Sequence, residues 1–280
     1  VTTVAVTCAS SFSGGAGSNV ATIVVEPGPA DPGFQTFNMP YVSIKVCDTG
    51  TPQKCAVIDH VQVDTGSAGL RLLSTALTGA GLSLTPVQDG GNTIEECHPF
   101  GGASYSWGAV ATATVTIGGE TTSGPIPVQV IDDSAPASGC GSGLTQQSSV
   151  NDFDANGVLG VGLFPQDCGT VCATTAANSW YYSCPSSTTC MQTTVALANQ
   201  VVNPVTAFTT DKNGVAVQLP TLPAGGALTA TGYLVFGIGT QSNNGLGSAS
   251  ANILTPDASG YISTQITGQT AVNGFFDSGS

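Results

Sequence analysis

Two short turns constrain this chain more than anything else in it. The first follows His60-Val61-Gln62-Val63, where Val61 and Val63 alternate with polar neighbours as on a half-buried strand, and reads Asp64-Thr65-Gly66-Ser67. The second closes the sequence, where Phe275 and Phe276 lead into Asp277-Ser278-Gly279-Ser280. In each, a carboxylate ends an apolar stretch and is wrapped by hydroxyl and amide donors, which is how a buried charge is made tolerable. A single Asp-Thr-Gly is more often an ordinary turn. Its recurrence implies two lobes that set Asp64 and Asp277 face to face.

Carboxylates a few ångströms apart cannot both ionise at ordinary cost, so one keeps a proton and the two titrate as a pair. Such a pair needs no metal and no cofactor. Its ionised member can deprotonate a water while the other donates to a scissile carbonyl oxygen, and an amide is hydrolysed without a covalent intermediate. Ser67 and Ser278 would orient the carboxylates, with Thr65, Gly66 and Gly279 completing the loops. No Ser/His/Asp or Cys/His nucleophile set is legible, because the two histidines, His60 and His98, lie in no nucleophile-elbow context. Both read as exposed or core-edge imidazoles.

Four stations in order give the chain its resemblance to a family. After the first turn comes the segment 100–118, beginning Phe100-Gly101 and carrying Tyr105 and Trp107. Then come Asn156-Gly157-Val158-Leu159-Gly160-Val161-Gly162-Leu163, the strand-like Gly232-Tyr233-Leu234-Val235-Phe236-Gly237-Ile238-Gly239, and Asp277 itself. This order resembles the pepsin-like aspartic endopeptidases, and within them a group of secreted bacterial members. The resemblance implies an all-β, bilobal acid-protease fold, with Asp64 and Asp277 catalytic and a peptide or protein as substrate. It also implies a flap hairpin over the cleft at Phe100, Gly101, Tyr105 and Trp107, and a segment at 156–163 that threads behind the first aspartate loop.

The chain departs from that pattern in three places. Phe100 stands where the family has a tyrosine that hydrogen-bonds across the cleft, and Arg71 where it has that tyrosine's tryptophan partner. Either Tyr105 or Trp107 supplies the polar aromatic of a rebuilt flap, or catalysis is weakened. Family members also continue well past their second aspartate. The expectation is a second lobe incomplete in this chain, with a C-terminal remainder as a continuation or a separate fragment. The lobes divide as residues 1–227, with the first aspartate loop, flap and Cys-rich loop, and residues 228–280, ending at the second aspartate.

Composition narrows the function classes. Four Lys plus Arg against seventeen Asp plus Glu give a net charge of −13, which argues against nucleic acid or anionic lipid, since both need clustered cations. Thirty-seven glycines and sixteen prolines point to many short strands and turns. No run of apolar residues is long enough to span a bilayer, and the first residues lack a signal peptide's plan, so the sequence reads as a mature form.

Nine cysteines in so uncharged a chain imply oxidation outside the cytoplasm, and hence a secreted protein, extracellular or periplasmic. Cys47 and Cys55 flank a turn that would bring two strand ends together, and they are expected to pair. Cys168 with Cys172 and Cys184 with Cys190 could close locally or cross-pair, and Cys97 and Cys140 could tie the flap's base to the following loop. Zinc is the rival, but the spacings suit it poorly and no histidine lies near. Cys8 has no assigned partner.

Elsewhere, strands are expected at 22–26, 41–46, 56–61 and 215–219, a helix at 194–202 stopped by Pro204, and an inter-lobe linker at 220–226. Asp152, Asp154 and Asn156 mimic half a calcium loop, yet its twelfth position is Leu163 where a bidentate Glu is required. Two rivals to a peptidase stay in play: a cleft-bearing binding protein without turnover, motivated by Phe100 and Arg71, and a structural surface protein, motivated by the Gly/Thr/Ser-rich composition.

Overall fold

The computed structural model describes residues 4–6, 17–101, 103–134, 136–137, 139–186, 189–245, 252–265 and 267–279. Cys8, Gly102, Ser280 and most of the Ser/Gly stretch 10–18 lie outside the described residues.

The fold is all-β with few helices. Its strands include β1 (Val20–Val25), β2 (Pro40–Cys47), β3 (Cys55–Asp64), β4 (Ala68–Leu73), β5 (Asn92–Phe100), β6 (Ser104–Ile117), β7 (Ile126–Ile131), β8 (Gly157–Val161), β9 (Tyr181–Ser186), β10 (Val215–Gln218) and β11 (Ala230–Phe236). Six of them close a barrel in the order β2, β3, β8, β4, β7, β6 and back to β2. Closure leaves no free edge along that circuit. The β-branched and leucine side chains that recur at every second position of these strands turn inward. Ile44, Val46, Val61, Val63, Leu70, Leu72, Val115, Ile117, Val128 and Leu159 form one buried core. Each such burial contributes about 1.5–3 kcal/mol.

Beyond the barrel, β5 pairs with β6 and carries β9 on its other side, while β1, β11 and β10 extend the sheet from β2. The stretch 220–226, expected as a linker, is the exposed connection within the β10–β11 hairpin, and the division drawn at 227/228 falls inside it. The chain ends in a small hairpin, Ile262–Thr264 against Val272–Gly274, which delivers the second aspartate turn.

One expected element does not form. Residues 194–202 hold only a short 3-10 turn at Leu197–Asn199. Tertiary acceptors outcompete the helix there: Val201 N donates to the Tyr181 hydroxyl at 2.8 Å and Val202 N to Pro127 O at 3.2 Å. The buried faces of Val195 and Val201 are satisfied in an extended chain.

Four disulfides are present among the described residues: Cys47–Cys55, Cys168–Cys172 and Cys184–Cys190 close locally, and Cys97–Cys140 spans 43 residues. They fit folding outside a reducing compartment. No helix among the described residues is long and apolar enough to cross a membrane.

Candidate functional site

Asp64 ends β3, whose preceding Val63 is fully buried, so the alternation delivers the carboxylate to the barrel's rim with 8% exposure. Gly66 N donates to its Oδ1 at 2.7 Å and the Ser67 hydroxyl donates to its Oδ2. β8 runs behind the loop, parallel to β3 with Gly160 opposite Asp64, and Gly162 N donates to Ser67 O at 2.7 Å. A Cβ on Gly160 would lie 2.8 Å from both Ser67 Oγ and the Ala68 backbone, so only glycine lets the strand approach. The segment expected to thread behind this loop does so.

The second turn interlocks with the first. Ser278 Oγ donates to Val63 O at 2.7 Å and accepts from Thr65 N at 3.2 Å, while Thr65 Oγ1 donates to Phe276 O at 3.0 Å. Gln62 Nε2 donates to Gly279 O. Gly279 N donates to Asp277 Oδ1 at 2.7 Å, the counterpart of the Gly66–Asp64 bond. The glycines are reciprocal as well: a Cβ on Gly66 would lie 2.9 Å from Asp277 Cγ, and one on Gly279 would lie 2.6 Å from Asp64 Cγ. The two carboxyls lie close enough to interact electrostatically. Burial raises the Asp64 pKa above its ordinary value, Ser67 and Gly66 oppose this, and the nearby Asp277 charge adds to it. Asp64, Thr65, Gly66, Ser67, Asp277, Ser278 and Gly279 are thus brought into one cluster.

The hairpin residues are not brought to it together. Gly101 is at the exposed tip between β5 and β6, and Phe100 is half-buried, edge-on to His98 and Phe153. Tyr105 and Trp107, expected on the cleft side, are buried instead with Tyr182 and the Cys97–Cys140 bridge. Both side chains pack into this buried cluster, so neither ring is exposed at the hairpin tip.

A second cluster escaped the sequence reading. Arg71 of β4 is fully buried, and its Nη2 donates to Glu96 Oε1 at 2.8 Å and Asp167 Oδ2 at 2.9 Å and lies 2.8 Å from His98 Nδ1. Tyr181 OH donates to Asp167 Oδ1 at 2.8 Å. Burial raises the Glu96 pKa, but Arg71 outweighs it with help from Asp167 and His98 and holds it below its ordinary value. Burial, then Glu96, pushes Asp167 well above. Burial and Arg71 lower His98 to about 4, so it is a neutral acceptor. The core-edge reading of His98 thus gives way to a partnered buried imidazole. Glu96, His98 and Asp167 have metal-ligand chemistry, but the guanidinium occupies the space between them. An arginine inside the apolar run Ala68-Gly69-Leu70-Arg71-Leu72-Leu73 was the available signal, since a buried cation demands buried acids.

The remaining candidates are spent on structure. His60 sits at a break in β3 pairing with φ +47°, 3.5 Å from Glu26 and 3.3 Å from Asp59. Asp152 caps the short helix Val150–Phe153, and Asp154 accepts from Ala30 N, Thr36 N and Thr36 Oγ1.

A family model described as a protein of unknown function, DUF3443, matches residues 15–280. The chain belongs to the DUF3443 family. This overturns the membership of the pepsin-like endopeptidases expected from the four stations. Those stations are short runs, either Asp-Ser/Thr-Gly turns or glycine-bearing apolar strand segments, which dictate local shape and not descent. No curated protein matches this DUF3443 member.

Proposed function

We propose that the chain is a hydrolase that cleaves peptide bonds with the Asp64–Asp277 pair, secreted and acting in acid surroundings. One observation carries the reading: two Asp-Ser/Thr-Gly turns 213 residues apart interlock reciprocally, each glycine against the other's aspartate. On this reading the turns are the floors of two facing lobes, and a peptide lies between them. A water held by both carboxyls gives its proton to the ionised one and attacks the carbonyl carbon, while the protonated one donates to the carbonyl oxygen. Ser67 and Gly66 hold Asp64, Gly279 holds Asp277, and neither aspartate is free to turn away. The acid optimum follows from the shared proton, which must be present before the water is activated.

The test is cleavage of casein across the carboxylate range by the wild type, Asp64→Asn and Asp277→Asn, with folding of each checked by circular dichroism. The reading expects cleavage by the wild type and a loss of at least about 100-fold in each variant. Undiminished cleavage by either folded variant would refute it. A second reading, binding without turnover, is favoured by the burial of Tyr105 and Trp107, which removes both polar aromatics from the cleft. It expects a hydroxyl-containing peptide that mimics the tetrahedral intermediate to bind in an Asp64-dependent way, with no casein cleaved.

A further inference from the structure

Nothing in the chemistry above uses Arg71, yet burying a cation so completely costs several kcal/mol unless its partners are well placed. Its neighbours explain the location. Nη1 donates at 2.9 Å to the carbonyl of Ala68, the residue directly after Ser67, whose hydroxyl holds Asp64. We propose that Arg71 is a positioning residue for the aspartate pair, locking the Ala68 carbonyl, at the exit of the loop that carries Ser67, to the hairpin arm β5 and to the loop after β8. The inference rests on the dyad reading and adds to it a group that never touches substrate.

The geometry makes one guanidinium the junction of three segments. Ala68 belongs to β4, Glu96 and His98 to β5, and Asp167 to the loop stapled by Cys168–Cys172. Glu96 and His98 lie on the arm that leads to the hairpin tip at Gly101, so movement of the tip would be transmitted to the loop carrying Ser67. On the far side Asp167 is fixed by Tyr181, whose hydroxyl also accepts from Val201 N. A planar fork with donors on several nitrogens suits this junction, and a lysine amine does not. Val201 packs the other side, 2.6 Å from where a Cβ on Gly69 would stand, so the loop's exit is confined by both charge and bulk.

Arg71→Lys keeps the charge, but one amine cannot reach the Ala68 carbonyl and both acids together. With casein as substrate, its kcat should fall about tenfold or more with KM within about twofold, the pattern of a lost transition-state alignment. Unchanged kcat in folded Arg71→Lys overturns the proposal. If Arg71→Lys does not fold, Glu96→Gln, which strips the ionised anchor and leaves Arg71, is measured against the same two outcomes. Absence of casein cleavage by the wild type would defeat the dyad reading and not this one. Carbon-13 titration of the Asp64 carboxyl then decides: a loosened loop admits water, so its midpoint falls toward the ordinary value, and an unmoved midpoint overturns the positioning role.

Discussion

Gly66 and Gly279 are as specific to this site as the aspartates they neighbour. A methyl at Gly279 would meet Asp64 Cγ at 2.6 Å, and that carboxylate is already pinned by Gly66 N and Ser67 Oγ. Gly279→Ala should therefore splay the pair and lower casein cleavage by about tenfold or more, with little change in melting temperature, since the turn lies at the rim. Cleavage equal to the wild type would show that the carboxyls need not touch. The aspartates, Ser67, Ser278 and both glycines were legible because a carboxylate at the end of an apolar strand has few ways to be solvated, and this sequence spells one of them twice. Arg71 was legible only as a departure. Its partners Glu96 and Asp167 lie far from it in sequence, and no local pattern joins them. Tyr105 and Trp107 were misplaced because aromatic residues suit a cleft and a core equally, and only the register of β6 decides between them.

The arm β5 carries a second acid whose effect can be measured. Burial, then the Asp132 charge, pushes the Glu95 carboxyl up to about 7. The folded state thus holds this proton more tightly than the unfolded chain, and its contribution is complete below about 4.5 and lost as pH rises through about 7. His98 works the other way. Its pKa is lowered from 6.5 to about 4, so its share of stability is lost as pH falls across that window. Comparing Glu95→Gln with the wild type cancels His98. The variant's stability should gain on the wild type's from pH 4.5 to 7, by at most about 3 kcal/mol, and a constant difference would contradict the shift. At this scale β2, β3 and β10 could be read from their alternation, because period-2 patterning survives wherever one face of a strand is buried. The helix expected at 194–202 could not be judged, since its competitors, Tyr181 and Pro127, are distant acceptors.

In the whole molecule, the barrel supplies the rigidity and the disulfides secure what hangs from it. Cys97–Cys140 spans 43 residues and joins β5 to the loop after β7, whereas Cys168–Cys172 spans only 4. Loop-closure entropy gives about 4 kcal/mol for the first and about 2 for the second. Replacing both cysteines of the first pair by serine should therefore lower the melting temperature further than the same change in the second, and the reverse order would mean that native-state contacts outweigh chain entropy. The all-β class was legible from composition, but the barrel's closure was not, because the β2–β6 pairing joins strands far apart in sequence. The dyad requires that Asp64 feel the Asp277 carboxyl. Carbon-13 titration of Asp64 in the wild type and in Asp277→Asn measures this without any substrate. Removing the neighbouring charge should lower the Asp64 midpoint. An identical midpoint in the two proteins would contradict the account.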